Sequence, residues 1–198
     1  AEPRVLDPVK ALLGPIVKIS FTTATINLPG NPRGGWHADW PFNQTNAAHI
    51  PAPYADTLSK LSSLWMLTSF SAKNGGTLIV PGSHRSPDNP SGENGVDRDA
   101  PHPEEVNVTG GAGDVFLYDS RLWHSTAANN SPGTRVAVVV RWAPWWLNLN
   151  VQREGHPDHI RIVVETKGKD SVNPTISPET HDAIPPEAKP LFAHWVEG

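Results

Sequence analysis

Proline and glycine interrupt this chain so often that long helices cannot dominate its fold. The 198 residues include 21 prolines and 16 glycines, and both residue types favour turns over the interior of a helix. This density favours many short elements joined by turns over a helical bundle. A chain of this length can bury a core without disulfides, and cysteine is absent. We therefore predict a single domain over residues 1–198.

Short apolar runs with strand-like alternation recur along the first three quarters of the chain. They occupy residues 16–28, 61–70, 77–81, 106–108, 115–118, 122–128 and 135–142. Alternation and β-branched residues predict strands there. Turn residues at 73–76 (KNGG) and 129–133 (NNSPG) predict two hairpins. About eight short strands with little helix between them are typical of a mainly β double-stranded β-helix, the cupin-like jelly roll.

A few helices are expected to flank this jelly roll. Residues 7–14 predict a short helix with Asp7 as its N-cap and Gly14 closing it. After Pro144 the strand pattern weakens, and residues 185–196 predict a terminal helix packed on the barrel. We therefore expect a core jelly roll at about 16–143 and a C-terminal extension at 144–198. The dense tryptophans of 142–146 suggest a cavity wall.

The charge and hydropathy of the chain argue against two classes of partner. A net charge of -4 gives no reason to expect binding to nucleic acid, and no apolar run approaches the length of a membrane span. The sequence begins without Met or a signal-peptide pattern, so the cytoplasm is the default expectation. The oligomeric state is not predicted.

A possible metal site begins in the string WHADW. His37 and Asp39 are two positions apart, and in an extended chain such residues face the same way, so both could reach one metal ion. An H-x-D string is common by chance, however. Taken alone, it indicates a surface histidine beside a carboxylate in a turn.

A second segment strengthens the metal interpretation. Alternation puts His124 and Thr126 on one face of a strand, and Arg135 opens the next strand after the NNSPG turn. Two histidines and one carboxylate form the facial triad of non-haem Fe(II) oxygenases. The fixed fork of an arginine suits the distal carboxylate of a 2-oxo acid.

From Trp36 to Trp142 the sequence resembles the phytanoyl-CoA dioxygenase family of Fe(II)/2-oxoglutarate oxygenases. The resemblance rests on WHADW, on NGGTLIVPGSHR at 74–85 and on GDVFLYDSRLWHSTAANNSPGTR at 113–135. The last string is the most specific, because the family pattern has matching residue types at His124, Thr126, Asn129, Ser131 and Arg135. Only 36 residues precede His37, fewer than the family usually has, so N-terminal elements are expected to be missing.

The resemblance implies a site and a reaction. His37, Asp39 and His124 would bind Fe(II), while Arg135, assisted by Thr126, would bind the C5 carboxylate of 2-oxoglutarate. Dioxygen would then be consumed with release of succinate and CO2, and a small-molecule substrate would be hydroxylated, desaturated or cyclised. Related halogenases have a small residue in place of the carboxylate, so Asp39 argues against halogenation.

Other residues are weaker candidates. Trp65 is predicted to contact the cosubstrate, although ordinary core packing explains it as well. Arg141 shares a strand face with Arg135, and either binding of an anionic substrate or exposure to solvent is consistent with that position. Asn43 and Gln44 follow the metal motif and could contact substrate. His84 is expected in a structural turn, and the remaining histidines are expected to be solvated: His49, His102, His156, His159, His181 and His194.

Two other functions stay open. A cupin-like metalloenzyme that does not use 2-oxoglutarate would have no need for a buried guanidinium at Arg135. A non-catalytic jelly-roll carbohydrate-binding module would use surface tryptophans and would not need the four polar residues to converge. The sequence shows no basic cluster suited to the phosphates of coenzyme A, and it does not identify the substrate.

Overall fold

The computed structural model describes residues 2–39, 57–90, 96–167, 172–173 and 175–197. These residues contain seven strands: β1 (Val17–Asn27), β2 (Leu61–Met66), β3 (Thr77–Ile79), β4 (Val106–Asn107), β5 (Val115–Asp119), β6 (His124–Thr126) and β7 (Arg135–Pro144). The described helices are α1 (Pro3–Leu13), α2 (Pro157–His159), α3 (Pro178–Ala183) and α4 (Lys189–Phe192). None of the described helices is long and apolar enough to span a membrane.

The strands form two antiparallel sheets, as the jelly-roll prediction requires. The larger sheet has the order β1-β7-β2-β5, and the smaller one has the order β4-β3-β6. A bridge between His37 and His124 adds the WHADW segment to the smaller sheet, beside β6. The mainly β fold is thus confirmed. The division into a core at 16–143 and an extension at 144–198 stays a prediction.

Both predicted hairpins are wrong, because the chain changes sheets at each turn. Strand β2 lies in the larger sheet and β3 in the smaller one. At the second turn, β6 lies in the smaller sheet and β7 in the larger one. Asn74 and Gly75 do form a tight turn, with Gly75 at a φ of 75°. A Cβ atom at Gly75 would meet the Asn27 amide nitrogen at 1.9 Å, so only glycine fits there. The turn directs the chain across the cavity between the sheets.

A bulge in β1 divides this strand into two functional halves. The pairing of β1 with β7 shifts between Ile19 and Phe21, which reverses the face that odd-numbered residues occupy. Val17 and Ile19 therefore pack in the core under the helices, whereas Thr23 and Thr25 line the cavity between the sheets. The bulge supplies polar side chains to the cavity from a strand that begins as a core element.

The larger sheet is covered by helices on its outer face. The main core cluster joins α1 and the C-terminal residues to β1, β2 and β7, and its buried members are Val5, Val9, Leu13, Val17, Ile19, Leu61, Trp142, Ala188 and Leu191. A second cluster, which includes Leu64, Tyr118 and Val139, fills the space on the opposite face. One face of the sheet is thus a solid core, and the other borders the cavity.

Helix α1 begins earlier than predicted. Glu2 is its N-cap, and its side chain accepts a hydrogen bond from the Arg4 backbone nitrogen, so the helix starts at Pro3 rather than after Asp7. Proline suits the first turn of a helix, and Pro3 lies there, whereas Pro8 lies inside the helix. The predicted end is confirmed, because Gly14 closes the helix with a φ of 94°.

The C-terminal segment packs on the sheet, although as short helical pieces rather than one helix. Helix α4 is followed by a 3-10 turn at Ala193–Trp195. The Trp195 indole nitrogen donates to the Ile19 carbonyl at 2.7 Å, and His194 Nε2 lies 3.0 Å from the same oxygen. His159 is also buried, with Nδ1 2.8 Å from the Val151 carbonyl. The prediction that His159 and His194 are solvated is therefore wrong.

The half-buried His194 predicts a pH dependence of stability. Burial lowers the pKa of His194 to about 4, with the positive charge of Lys18 acting in the same direction. Between this value and the ordinary pKa of 6.5, the unfolded chain binds the proton that the folded chain excludes, so stability falls as the pH falls. We expect His194→Gln, which can still donate to Ile19, to weaken this dependence in urea unfolding at pH 7 and pH 5. An unchanged difference between the two pH values would contradict the assignment.

Candidate metal centre and cosubstrate cavity

Backbone pairing places the three predicted metal ligands together. His37 and His124 exchange two backbone hydrogen bonds of 3.1 and 2.9 Å, and their ring centroids lie 4.2 Å apart. The Asp39 backbone nitrogen donates to the Ser120 carbonyl at 2.8 Å. The WHADW segment is therefore extended, and His37 and Asp39 project to the same side, as their spacing predicts.

The ligand atoms of the triad converge on one point. His37 Nε2 and His124 Nε2 lie 4.0 and 3.7 Å from Asp39 Oδ1, and one ligand atom from each residue lies within 4.8 Å of the other two. His37 Nδ1 is 3.2 Å from the Gly35 carbonyl, and His124 Nδ1 is 2.8 Å from the Leu122 carbonyl. Because a carbonyl can only accept, both protons reside on Nδ1, and both Nε2 lone pairs face Asp39.

The protonation states also suit a metal ion. The His37 side chain is 41% exposed, although protein atoms fill most of the space around its ring. This burial, reinforced by the charge of His124, lowers the pKa of His37 to about 4. Burial alone would raise the pKa of the Asp39 carboxyl, but neighbouring groups led by His124 and Arg141 hold it below its ordinary value. Neutral imidazole and ionised carboxylate are the forms that bind metals.

Two residues hold the Asp39 carboxylate, one at each oxygen. The Ser62 hydroxyl donates to Asp39 Oδ2 at 3.1 Å and lies 2.9 Å from the Ser120 hydroxyl. Arg141 Nη2 donates to Asp39 Oδ1 at 2.5 Å, and its guanidinium stacks on the Phe21 ring at 4.5 Å. These contacts fix the orientation of the carboxylate, as hydrogen bonds to a metal ligand commonly do.

The Ser62 contact predicts a loss of metal affinity on its removal. We expect Ser62→Ala to weaken Fe(II) binding about tenfold, because the carboxylate loses one of the bonds that orient it. Competition with a chelator measures this affinity. The control is Ser63→Ala, since the Ser63 hydroxyl accepts bonds from Trp65 and Trp142. That control should lower stability and leave metal affinity intact, and equal affinities in the two variants would refute the role of Ser62.

A buried lysine lies near this carboxylate. Lys60, next to the start of β2, is 3% exposed, and its carbonyl accepts from the Ser120 nitrogen. Burial lowers the pKa of Lys60 to about 8; the charge of Arg141 lowers it further, and Asp39 opposes the shift. Among the described residues, no side chain forms a hydrogen bond or ion pair with the Lys60 ammonium.

A cavity of about 160 Å³ extends from the triad between the two sheets. Besides the ligands, its polar lining comes from Thr23, Thr25, Thr77, Tyr118, Ser125, Thr126, Arg135 and Arg141, and its apolar lining from Leu64 and Val139. Arg135 is 3% exposed. Its Nε donates to the Gly75 carbonyl at 2.9 Å and its Nη1 to the Thr25 hydroxyl at 3.0 Å. No carboxylate lies within ion-pair distance of Arg135 among the described residues, so this buried cation has room for an external anion.

The structure brings five of the six predicted site residues to this cavity and places Trp65 elsewhere. His37, Asp39, His124, Thr126 and Arg135 all line the cavity. Trp65 lies on the other face of β2, packed against the main core cluster, and its indole nitrogen donates to Ser63 at 3.0 Å. Leu64 lines the cavity in its place.

Several cavity residues were not singled out from the sequence. Tyr118 lines the cavity beside His124, with ring centroids 5.3 Å apart, and alternation along β5 could have indicated it. Nothing in the sequence distinguishes Ser62 or Lys60. Of the two interpretations of Arg141, exposure to solvent is wrong. His84 lies in the 3-10 turn Ser83–Arg85, as predicted, while Asn43, Gln44 and His49 lie outside the described residues.

A second cavity lies on the C-terminal side of the fold. It measures about 200 Å³, and its lining includes Lys18, Trp145, Trp146, Arg153 and His194. Trp145 and Trp146 thus form a cavity wall, as the sequence suggested, whereas Trp142, which the same prediction included, lies in the main core cluster. This cavity shares no lining residue with the triad and contains no carboxylate, so the candidate metal chemistry belongs to the cavity between the sheets.

Comparison with protein families supports the same interpretation. The family model described as Phytanoyl-CoA dioxygenase (PhyH) matches residues 1–137. The chain is 32% identical over 133 residues to "Dioxygenase af480" of Aspergillus fumigatus, a match that covers 64% of this chain and 37% of that protein. It is also 32% identical over 99 residues to "Dioxygenase FUM3" of Gibberella moniliformis, covering 50% of this chain and 29% of the relative. The chain therefore spans about a third of the length of these curated relatives.

Solved structures share the fold at lower identity. A structure of EctD from S. alaskensis with 2-oxoglutarate and 5-hydroxyectoine aligns with a TM-score of 0.54 at 23% identity, over 73% of this chain and 50% of that one. The epimerase SnoN in complex with Fe3+, alpha ketoglutarate and nogalamycin RO aligns with a TM-score of 0.54 at 20% identity, over 72% and 56% of the two chains. These likenesses support the jelly-roll fold.

Proposed function

Because the chain belongs to the phytanoyl-CoA dioxygenase family, we propose that it is an Fe(II)- and 2-oxoglutarate-dependent oxygenase acting on a small molecule. One observation carries the proposal. Two Nε2 lone pairs and one carboxylate oxygen converge within 4.8 Å, with the histidine protons held on the opposite nitrogens by backbone carbonyls. Three electron-pair donors that converge in this way suit a metal cation, and this set of donors matches the facial triad of non-haem iron oxygenases.

His37, Asp39 and His124 would hold the iron. When bound, Fe(II) with 2-oxoglutarate supplies dioxygen activation coupled to decarboxylation, which yields succinate, CO2 and an oxidised substrate. The protein contributes a His37 imidazole and an Asp39 carboxyl whose pKa values are both held below their ordinary values. It also contributes an Asp39 carboxylate whose orientation is fixed by Ser62 and Arg141.

Arg135 would hold the distal carboxylate of 2-oxoglutarate. Its guanidinium is oriented by bonds from Nε and Nη1 to the protein, which leaves Nη2 without a partner among the described residues. Thr126 lines the same cavity and offers a hydroxyl donor. A fixed, buried guanidinium binds a carboxylate strongly, because it loses little freedom on binding and the surroundings are poor in water. The EctD structure contains 2-oxoglutarate, and the SnoN structure contains the same compound under the name alpha ketoglutarate. Both agree with this assignment.

The two alternative functions explain less of the cavity. A metalloenzyme that does not use 2-oxoglutarate leaves the buried charge of Arg135 without a purpose. A carbohydrate-binding module is favoured only by the exposure of Trp145 and Trp146, at 61% and 53%. These tryptophans lie away from the triad, and such a module needs no convergent ligand set.

A thermal-shift cycle tests the proposal. Under anaerobic conditions the Tm is measured for the apo protein, with Fe(II), with 2-oxoglutarate and with both. Because the cosubstrate would bind both the metal and Arg135, we expect 2-oxoglutarate to stabilise the protein far more when Fe(II) is present. A 2-oxoglutarate effect that does not depend on the metal contradicts the proposal and favours the cupin-like enzyme. No effect of Fe(II) would favour the binding module.

A further inference from the structure

The metal centre contains more positive than negative charge. Arg135, Arg141 and Lys60 are three cations buried in or beside the cavity, and each is at most partly accessible. Asp39 is the only carboxylate among the described residues that lines the cavity, and the only one whose charge acts on Lys60. Apart from the two histidines, the described groups of the site therefore have an excess of two positive charges.

Iron and 2-oxoglutarate do not remove this excess. Fe(II) adds two positive charges, and the 2-oxoglutarate dianion adds two negative ones. Arg135 would be neutralised by the cosubstrate, while Arg141 and Lys60 would share one carboxylate that also binds the metal. Buried charges without partners are costly, so a site that keeps these two cations needs a further anion when it is full.

We infer that the substrate carries an anionic group, a carboxylate or a phosphate, which binds at the Arg141 end of the cavity, near the buried Lys60. The inference rests on the proposed function and names the substrate class of the same site. Arg135 and Arg141 are six positions apart on β7, which separates their backbones by about 20 Å. The two ends of the strand can therefore bind two different anions, the cosubstrate at one and the substrate at the other.

The geometry of Arg141 suits this role. Its ring contact with Phe21 fixes the plane of the guanidinium, and the described residues provide no hydrogen-bond partner for its Nε. An oxyanion that reaches the guanidinium would supply one. Lys60 does not line the cavity, so it acts as a specificity residue through its charge. A buried ammonium that has no partner in the described part of the chain costs stability, which is common where a residue serves binding.

Lys60→Met separates a binding role from a structural one. Methionine fills a similar volume without charge, so we expect the apo protein to become more stable in urea unfolding. Lys73→Met, at an exposed lysine, is the matched control and should leave stability nearly unchanged. A lower stability of Lys60→Met than of the wild type would indicate a structural ammonium and overturn the inference.

Binding of simple probes then tests the charge preference. The wild type is loaded anaerobically with Fe(II) and 2-oxoglutarate and titrated with hexanoate, hexyl phosphate and the neutral control hexanamide at constant ionic strength. We expect one of the two anions to bind at least about tenfold more tightly than hexanamide, and this preference to be lost in Lys60→Met and kept in Lys73→Met. The stronger anion distinguishes a carboxylate substrate from a phosphate.

The outcomes separate this inference from the proposed function. If the complex with Fe(II) and 2-oxoglutarate does not form before any probe is added, the proposed function fails. If the complex forms but hexanamide binds as tightly as both anions, or Lys60→Met keeps the full preference, only the anionic-substrate inference fails.

Discussion

Replacing Asp39 with alanine is expected to abolish iron binding and to destabilise the apo protein by about 3 kcal/mol. Iron would lose the carboxylate of the proposed triad, so its affinity should fall by more than about 100-fold. The loss of stability has a separate cause. The Asp39 side chain is 2% exposed and forms an ion pair with Arg141, so its removal leaves the buried charges of Arg141 and Lys60 without a counter-ion. Chelator competition and urea unfolding measure the two effects.

A double-mutant cycle distinguishes this cause from simple loss of packing. We expect Asp39→Leu and Arg141→Met to be strongly destabilising alone and much less so together, because the double variant leaves less unpaired charge. Asp88→Ala is the surface control, since the Asp88 side chain is exposed, and it should change neither property. Additive effects of the two buried substitutions would contradict the ion-pair account, and retained iron affinity in Asp39→Ala would remove this residue as a ligand.

Replacing Arg135 with glutamine is expected to weaken 2-oxoglutarate binding about 100-fold while Fe(II) binding persists. A buried guanidinium that pairs with a carboxylate contributes a few kcal/mol, and its loss leaves the carboxylate poorly solvated. The metal ligands are held by other contacts, which are the backbone bonds of β6 and the side chains of Ser62 and Arg141. Calorimetry under anaerobic conditions measures both affinities.

Two further variants sharpen the Arg135 prediction. Arg135→Lys keeps the charge without the planar fork and should fall between the wild type and the glutamine variant. Arg161→Gln, at a side chain that is 72% exposed, is the control and should bind 2-oxoglutarate as the wild type does. Equal cosubstrate affinity in Arg135→Gln and the wild type would show that the distal carboxylate binds elsewhere.

Local pattern predicted the strands well and their pairing poorly. Alternation located β1 and β7, because each is half-buried over several residues, whereas an apolar run located β2, which is almost fully buried. The KNGG and NNSPG turns, in contrast, obey ordinary hairpin rules while the chain moves between sheets. Whether two strands joined by such a turn pair with each other depends on which strands enclose the cavity, and the sequence of the turn does not determine this. The bulge at Ser20 could not be predicted for a similar reason, because it depends on the pairing of β1 with β7.

The convergence of His37, Asp39 and His124 could be predicted because their spacing and their chemistry agree. The i, i+2 spacing of His37 and Asp39 and the position of Arg135 after His124 are visible in the sequence. The groups around them are not, because Lys60, Ser62 and Arg141 approach Asp39 only through the packing of β2, β7 and the WHADW segment. For the same reason the sequence shows no basic cluster, although three cations are buried in or beside the folded site. Trp65 was misplaced because a strand residue has two possible faces.

The most direct test of the proposed function is an anaerobic titration of the apo protein with Fe(II) and 2-oxoglutarate, followed by visible absorption. The account predicts a weak charge-transfer band that appears only when both are present, because the keto acid chelates the metal held by His37, Asp39 and His124. The band should be absent in His124→Ala and should require far more 2-oxoglutarate in Arg135→Gln. Iron binding without the band would contradict the role of 2-oxoglutarate, and a band that survives in His124→Ala would contradict the metal centre itself.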